Sequence, residues 1–160
     1  MTARGLVFAV AALALVAGGC GSNSGSKRLS KAEFVSRADA ICAKYEKRVQ
    51  SRMAGVPPGD QKQLASSIEK VLPVIRKGND ELRSLKPPES LQARFDRWMG
   101  IADAEVTAAQ KLQDALDKND LGTIQAAFQE LQTKDAAQDR IARQDLGLTG
   151  CASGSTGSSG

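Results

Sequence analysis

Apolar residues recur at intervals of three and four along four stretches of this chain, and breaking residues separate the stretches. In the first, Phe34, Ala38, Ile41, Tyr45 and Val49 fall on one side of a helix. Ser30-Lys31-Ala32-Glu33 precedes them as a capping box, so the pattern predicts a helix over 30–53. Gly55-Val56-Pro57-Pro58-Gly59 ends it. The second stretch begins near Asp60 and carries Leu64, Ile68, Val71, Ile75, Leu82 and Leu85, with Asn79 filling the gap in the stripe. Pro73 removes one backbone donor inside this run and predicts a kink, and Gly78 adds a weak point nearby.

Lys86-Pro87-Pro88-Glu89 breaks the chain again, and Pro88 suits the first turn of a third helix. That helix carries Leu91, Phe95, Trp98, Ala102, Val106, Ala109, Leu112 and Leu116. Asp120 follows a turn at Lys118-Asn119 and is a good N-cap for the fourth helix. There Ile124, Phe128, Leu131 and Ile141 form the stripe, and Gly147 stands in C-cap position. No stretch alternates with period two. Long helices with short connections favour antiparallel neighbours, so the expected fold is all-α, an up-down antiparallel four-helix bundle over 30–151.

The fourth stripe is broken. Between Leu131 and Ile141 the inward positions are Asp135 and Gln138, and an unpaired carboxylate is costly to bury. Either this end of the helix is exposed, or the two side chains face a polar cavity. Turning the stripe slightly onto Ala137 also restores an apolar face.

Composition narrows the chemistry. Hydrophobic residues make up 41% of the chain but aromatic residues only 4%, so the core must be aliphatic. Lys plus Arg number 22 against 18 acidic residues, and the signs alternate as on solvated helix faces. A nucleic-acid binder concentrates its basic side chains beside stacking aromatics, so no nucleic-acid partner is expected. Histidine is absent, which removes the usual neutral-pH base and the commonest metal ligand. Asp103, Glu105, Glu130 and Asp135 suggest a carboxylate metal bundle, but such bundles need a Glu-x-x-His pair on facing helices. Scattered helical carboxylates usually face water. No phosphate loop, GxSxG, HExxH or CxxC occurs. The expectation is a protein that is not an enzyme and holds no cofactor or metal.

The first twenty residues, MTARGLVFAVAALALVAGGC, read in three parts: a basic start at Arg4, an apolar run from Leu6 to Val16, then small residues before Cys20. The run is short for a membrane span and suits a signal segment. In this region the chain resembles a bacterial lipoprotein precursor. Ala17-Gly18-Gly19-Cys20 fits the permissive lipobox, although the commoner form has a larger aliphatic residue at the position of Ala17. The resemblance implies diacylglycerol on the Cys20 thiol, cleavage after Gly19 and a body held at the cell membrane, facing the extracytoplasmic side. Two or more acyl chains hold a protein stably where one does not. A cleaved signal with a freely secreted product, or an uncleaved helix, are the alternatives. Gly21 to Ser26 is a Gly/Ser run, and residues 20–29 read as a flexible tether with a reach of roughly 15–20 Å.

With Cys20 lipidated, Cys42 and Cys151 remain, in a compartment where disulfides persist. Their pairing would close a loop of about 110 residues. Two free thiols or a metal site are the competing readings, and two cysteines without histidine make a poor zinc site.

A second resemblance covers most of the body. Phe34 with Ala40-Ile41-Cys42, Leu85-Lys86-Pro87-Pro88, Trp98, and Ala142 with Leu146-Gly147-Leu148 and Cys151 look like a class of small secreted helical proteins of high-GC Gram-positive bacteria. It implies an architecture and no activity. Residues 152–160 are too small and polar to pack and read as a disordered tail. Two functions fit: a membrane-tethered module that binds an envelope protein, or a lipoprotein holding a small ligand between its helices. For the second, Trp98, Tyr45 and Asp135 are the candidate ligand-binding residues, with Phe34, Phe95 and Phe128 as possible neighbours, though aromatics at helical spacing are more often plain core.

Overall fold

The structure is a computed structural model, and it describes residues 27–152. The signal segment, Cys20, the Gly/Ser run and residues 153–160 lie outside the described residues. Four helices follow in order: α1 (Lys31–Met53), α2 (Gln61–Arg83), α3 (Glu89–Lys118) and α4 (Leu121–Arg140). The chain continues from α4 into a π-helical segment, Ile141–Leu146. The fold is an all-α four-helix bundle, with no strand among the described residues.

Short-range signals set the helix starts. Ser30 Oγ accepts from the Glu33 N–H, and the Glu33 carboxylate accepts in return from the Ser30 N–H at 2.9 Å. Asp60 and Asp120 cap α2 and α4 by accepting from Gln63 N and Thr123 N at 2.9 and 3.1 Å. Each cap satisfies a backbone donor that the first turn leaves unpaired. Pro73 lies on the exposed side of α2, where its lost donor costs least, and the helix continues through it.

Packing follows the chain. α1 lies against α2, α2 against α3, and α3 against α4, while α1 and α4 make no comparable contact. The interior divides accordingly. One cluster gathers Phe34, Phe95, Trp98, Leu82, Ile141 and Leu148, among others, from α1, α2, α3 and the C-terminal segment. Phe34 meets Phe95 edge-on with ring centres 5.4 Å apart. The other cluster, Ala65, Ile68, Leu72, Leu112, Leu116 and Ala127, is built from α2, α3 and α4 without α1.

Helix α4 is the weak member. Ala127 is its one fully buried residue, and Phe128, expected in the core, is 40% exposed because α4 has no α1 surface to pack on. Asp135 is exposed, the first of the two alternatives that the broken stripe left open. Ala137, Gln138 and Asp139 are half-buried instead.

The π-helical segment went unforeseen. Positions five apart diverge around an α-helix but nearly coincide in the wider π turn. Ile141 and Leu146 thereby both reach the interior, at 2% and 0% exposure. Gly147 then takes φ +75° and turns the chain so that Leu148 is fully buried.

The packed unit also extends past both expected boundaries. Residues 28 and 29 are docked rather than part of a free tether. The Leu29 N–H donates to Lys86 O at 2.8 Å, and Arg28 Nη1 donates to Pro87 O at 3.0 Å and Gln92 Oε1 at 2.7 Å. Ala152, expected in the tail, is buried.

Candidate functional site: a cleft along the open seam

Where α1 and α4 fail to meet, a cleft of about 320 Å³ runs into the bundle. Every helix contributes to it. Tyr45, Glu46 and Val49 come from α1; Ile75, Gly78 and Asn79 from α2; Trp98, Ala102 and Glu105 from α3; and Gln138 from α4. The end is closed by Gly150, Cys151 and Ala152. Its volume lies in the range of small-molecule sites, and its mixture of apolar wall with a few polar groups is typical of them.

The disulfide builds that closed end. Cys42 and Cys151 are bonded, with Cα atoms 5.0 Å apart and a sequence separation of 109. Asp39 adds a second tie by accepting from the Gly150 N–H at 2.9 Å. The C-terminal segment is thus strapped to α1 at a point where α4 itself does not reach.

Tyr45 lines the cleft but is committed elsewhere. Its hydroxyl donates to Glu81 Oε2 at 2.8 Å, and that hydrogen bond, with burial, pushes its ionisation upward. Lys44 and Arg48 stand 4.9 and 5.1 Å from its ring centre. Lys44 also donates to both oxygens of Glu81, which holds that carboxyl below the usual range. The group ties α1 to α2 and shapes the wall. Trp98 is 2% exposed and likewise lines the cleft. Asp135, the third candidate, does not line it.

The polar group inside is Glu105, a helical carboxylate expected to face water but drawn into the cleft wall. It sits on the face of α3 that carries Trp98 and Ala102, three residues after the latter, so its position in the stripe was the available signal. Burial, and then the neighbouring charges of Asp135 and Asp139, push its carboxyl up to about 7, with Lys134 opposing. Gln138, with its amide nitrogen turned towards Glu105, donates to Oε2 at 2.8 Å. Two side-chain donors of residues that line the cleft have no partner among the described residues: Asn79 Nδ2 and Trp98 Nε1, both shut off from solvent. A buried donor without an acceptor costs about 1–3 kcal/mol.

Among the described residues no grouping of Cys, Asp and Glu side chains is arranged to hold a metal, and no helix is long and apolar enough to cross a membrane. A scan of protein-family models finds no match, and neither the curated proteins nor the solved structures yield a significant one.

Proposed function

We propose that this protein is a lipid-anchored, extracytoplasmic binding protein that holds a small molecule in the cleft between α1 and α4 and performs no chemistry on it. The observation that carries the reading is the cleft itself: an indentation reaching all four helices, with a half-buried carboxylate in an otherwise largely apolar wall. A bundle evolved only for packing gains by closing such a seam, because open interior surface forfeits burial and dispersion. Acid–base catalysis needs a second group converging on the reacting atom, and the other carboxylate of the cleft wall, Glu46, already accepts from Gln50 Nε2.

The anchor supports the same reading. A thiol at the end of an apolar leader, followed by a Gly/Ser run, would keep a ligand-binding body beside the membrane. Arg28 and Leu29 are docked on the loop at 86–88, so the tether would begin before them.

A second reading, docking of an envelope protein, draws on Leu121, 68% exposed, and Phe128. Phe128 lines an apolar depression of about 480 Å³ with Met53, Val56 and Leu64, at the end of the bundle away from the tether.

The test has two arms. Mass spectrometry of the N-terminal peptide should show acyl groups on Cys20 and no residues 1–19, and Cys20→Ser should move the protein from the membrane fraction to the soluble one. Native mass spectrometry of protein purified from its own host should show a small molecule retained by the wild type and lost in Ala102→Phe, which fills the cleft. Unmodified Cys20 overturns the anchor, and a bound molecule unaffected by filling the cleft overturns the site.

A further inference from the structure

The cleft is asymmetric in charge, and that asymmetry selects among ligands. Of its wall residues, the ionisable acids are Glu46 from α1 and Glu105 from α3. α2 supplies Ile75, Gly78, Asn79 and Leu82, none of them charged, and the C-terminal segment supplies no charge either. From α4, Asp135 and Asp139 add negative potential at Glu105. Lys134 is the one cation acting on Glu105, and it is held by Glu130 at 3.4 Å. The cations beside Tyr45 are similarly engaged, Lys44 by Glu81 and Arg48 on the ring. Glu105 therefore faces a cleft whose lining carries no basic side chain.

Building on the reading of the cleft as a ligand site, we infer that its ligand is a small organic cation, an amine or quaternary ammonium on an apolar body, whose charge sits against Glu105 while the body packs on Val49, Ile75 and Trp98. An anion would be repelled by the acidic side chains. A neutral apolar molecule would leave Glu105 with only the Gln138 amide to offset its desolvation. A cation replaces the water that burial removes from the carboxylate, and an apolar body fills the rest of the volume. Trp98 is the single tryptophan of the chain and reports on the site directly.

Proton and cation compete for the same oxygens. In the empty cleft Glu105 titrates near 7, so ligand affinity is full above that pH. It weakens by roughly ten-fold for each unit below.

The probes are phenethylamine, 2-phenylethanol and phenylacetate, near-identical in shape and differing in charge. Binding is followed by Trp98 fluorescence and by chemical shifts of cleft residues. At pH 8 phenethylamine should bind at least ten-fold more tightly than the alcohol, and phenylacetate should not bind. At pH 5.5, where the ammonium stays charged, the amine should lose ten-fold or more while the alcohol holds steady. Glu105→Gln should abolish both the preference and the pH dependence. The wild-type pH series stands by itself if that variant folds poorly. Equal binding of amine and alcohol in the cleft overturns the cation inference and leaves the ligand site standing. If none of the three perturbs cleft resonances, the ligand-site reading falls with it.

Discussion

The ring of Tyr45 lies directly against Gly78, so that a Cβ built on the glycine would stand 3.0 Å from Tyr45 Cγ and 3.3 Å from Cδ2. α1 and α2 approach each other over this hydrogen atom, at the margin of the cleft. The Tyr45 hydroxyl, bonded to Glu81 one turn further along α2, keeps the ring in place.

Glycine inside a helix normally weakens it, so alanine is normally an improvement. Gly100 is such a position, with nothing within 4 Å of an added Cβ, and Gly100→Ala should raise stability by about 0.5–1 kcal/mol. Gly78→Ala should instead lower it by about 1–3 kcal/mol, since the ring must move. Urea denaturation of the two variants tests the opposite signs.

Gly147 matters for its backbone. At φ +75° any L side chain is strained even though the surrounding space is open. Gly147→Ala should cost about 1–2 kcal/mol. Hydrogen exchange should show the loss concentrated in residues 141–152, which hold the closed end of the cleft.

Removing the disulfide acts mainly on the unfolded chain. The Cys42–Cys151 bond closes a long loop, and Cys42→Ser with Cys151→Ser should cost about 3–4 kcal/mol. Thermal melts with and without reductant give the same comparison in the native sequence. Both treatments should also weaken any ligand held in the cleft, because Gly150 to Ala152 form its end.

Stability should fall with rising pH through the range where Glu105 titrates. Its folded carboxyl lies at about 7 against an ordinary 4.5, so the folded state holds the proton more tightly. The resulting contribution is complete below 4.5 and is lost as pH rises through 7. Glu105→Gln removes that dependence. At pH 8 the variant should be more stable than the native protein by about 1–2 kcal/mol, a figure reduced for solvent screening and for the Gln138 hydrogen bond. At pH 4 the two should melt together, and chemical denaturation at both pH values decides it.

Much of the architecture was legible in the chain. The capping box at Ser30, the caps at Asp60 and Asp120 and the turn at Gly147 each act within a few residues, so they can be read without knowing the neighbours. The site was less so. Trp98 and Tyr45 are at the cleft, but Tyr45 is occupied by Glu81, and Asp135 is exposed and acts on the site only through its charge. Glu105 was passed over because one carboxylate on an otherwise mixed helix looks like any solvated residue. Gln138 was recognised as an inward position, without a reason for being there.

Local periodicity and capping were enough to specify four helices and where they begin, because those depend on interactions a turn or two long, and the short connections between them set their antiparallel succession. Whether α1 closes onto α4 depends on how wide side chains such as Phe34, Trp98 and Leu146 hold the helices apart, and on where the π turn and the disulfide pin the last residues. That spacing is a property of the whole packed interior. It turned Glu105 from a surface carboxylate into the polar floor of a cleft.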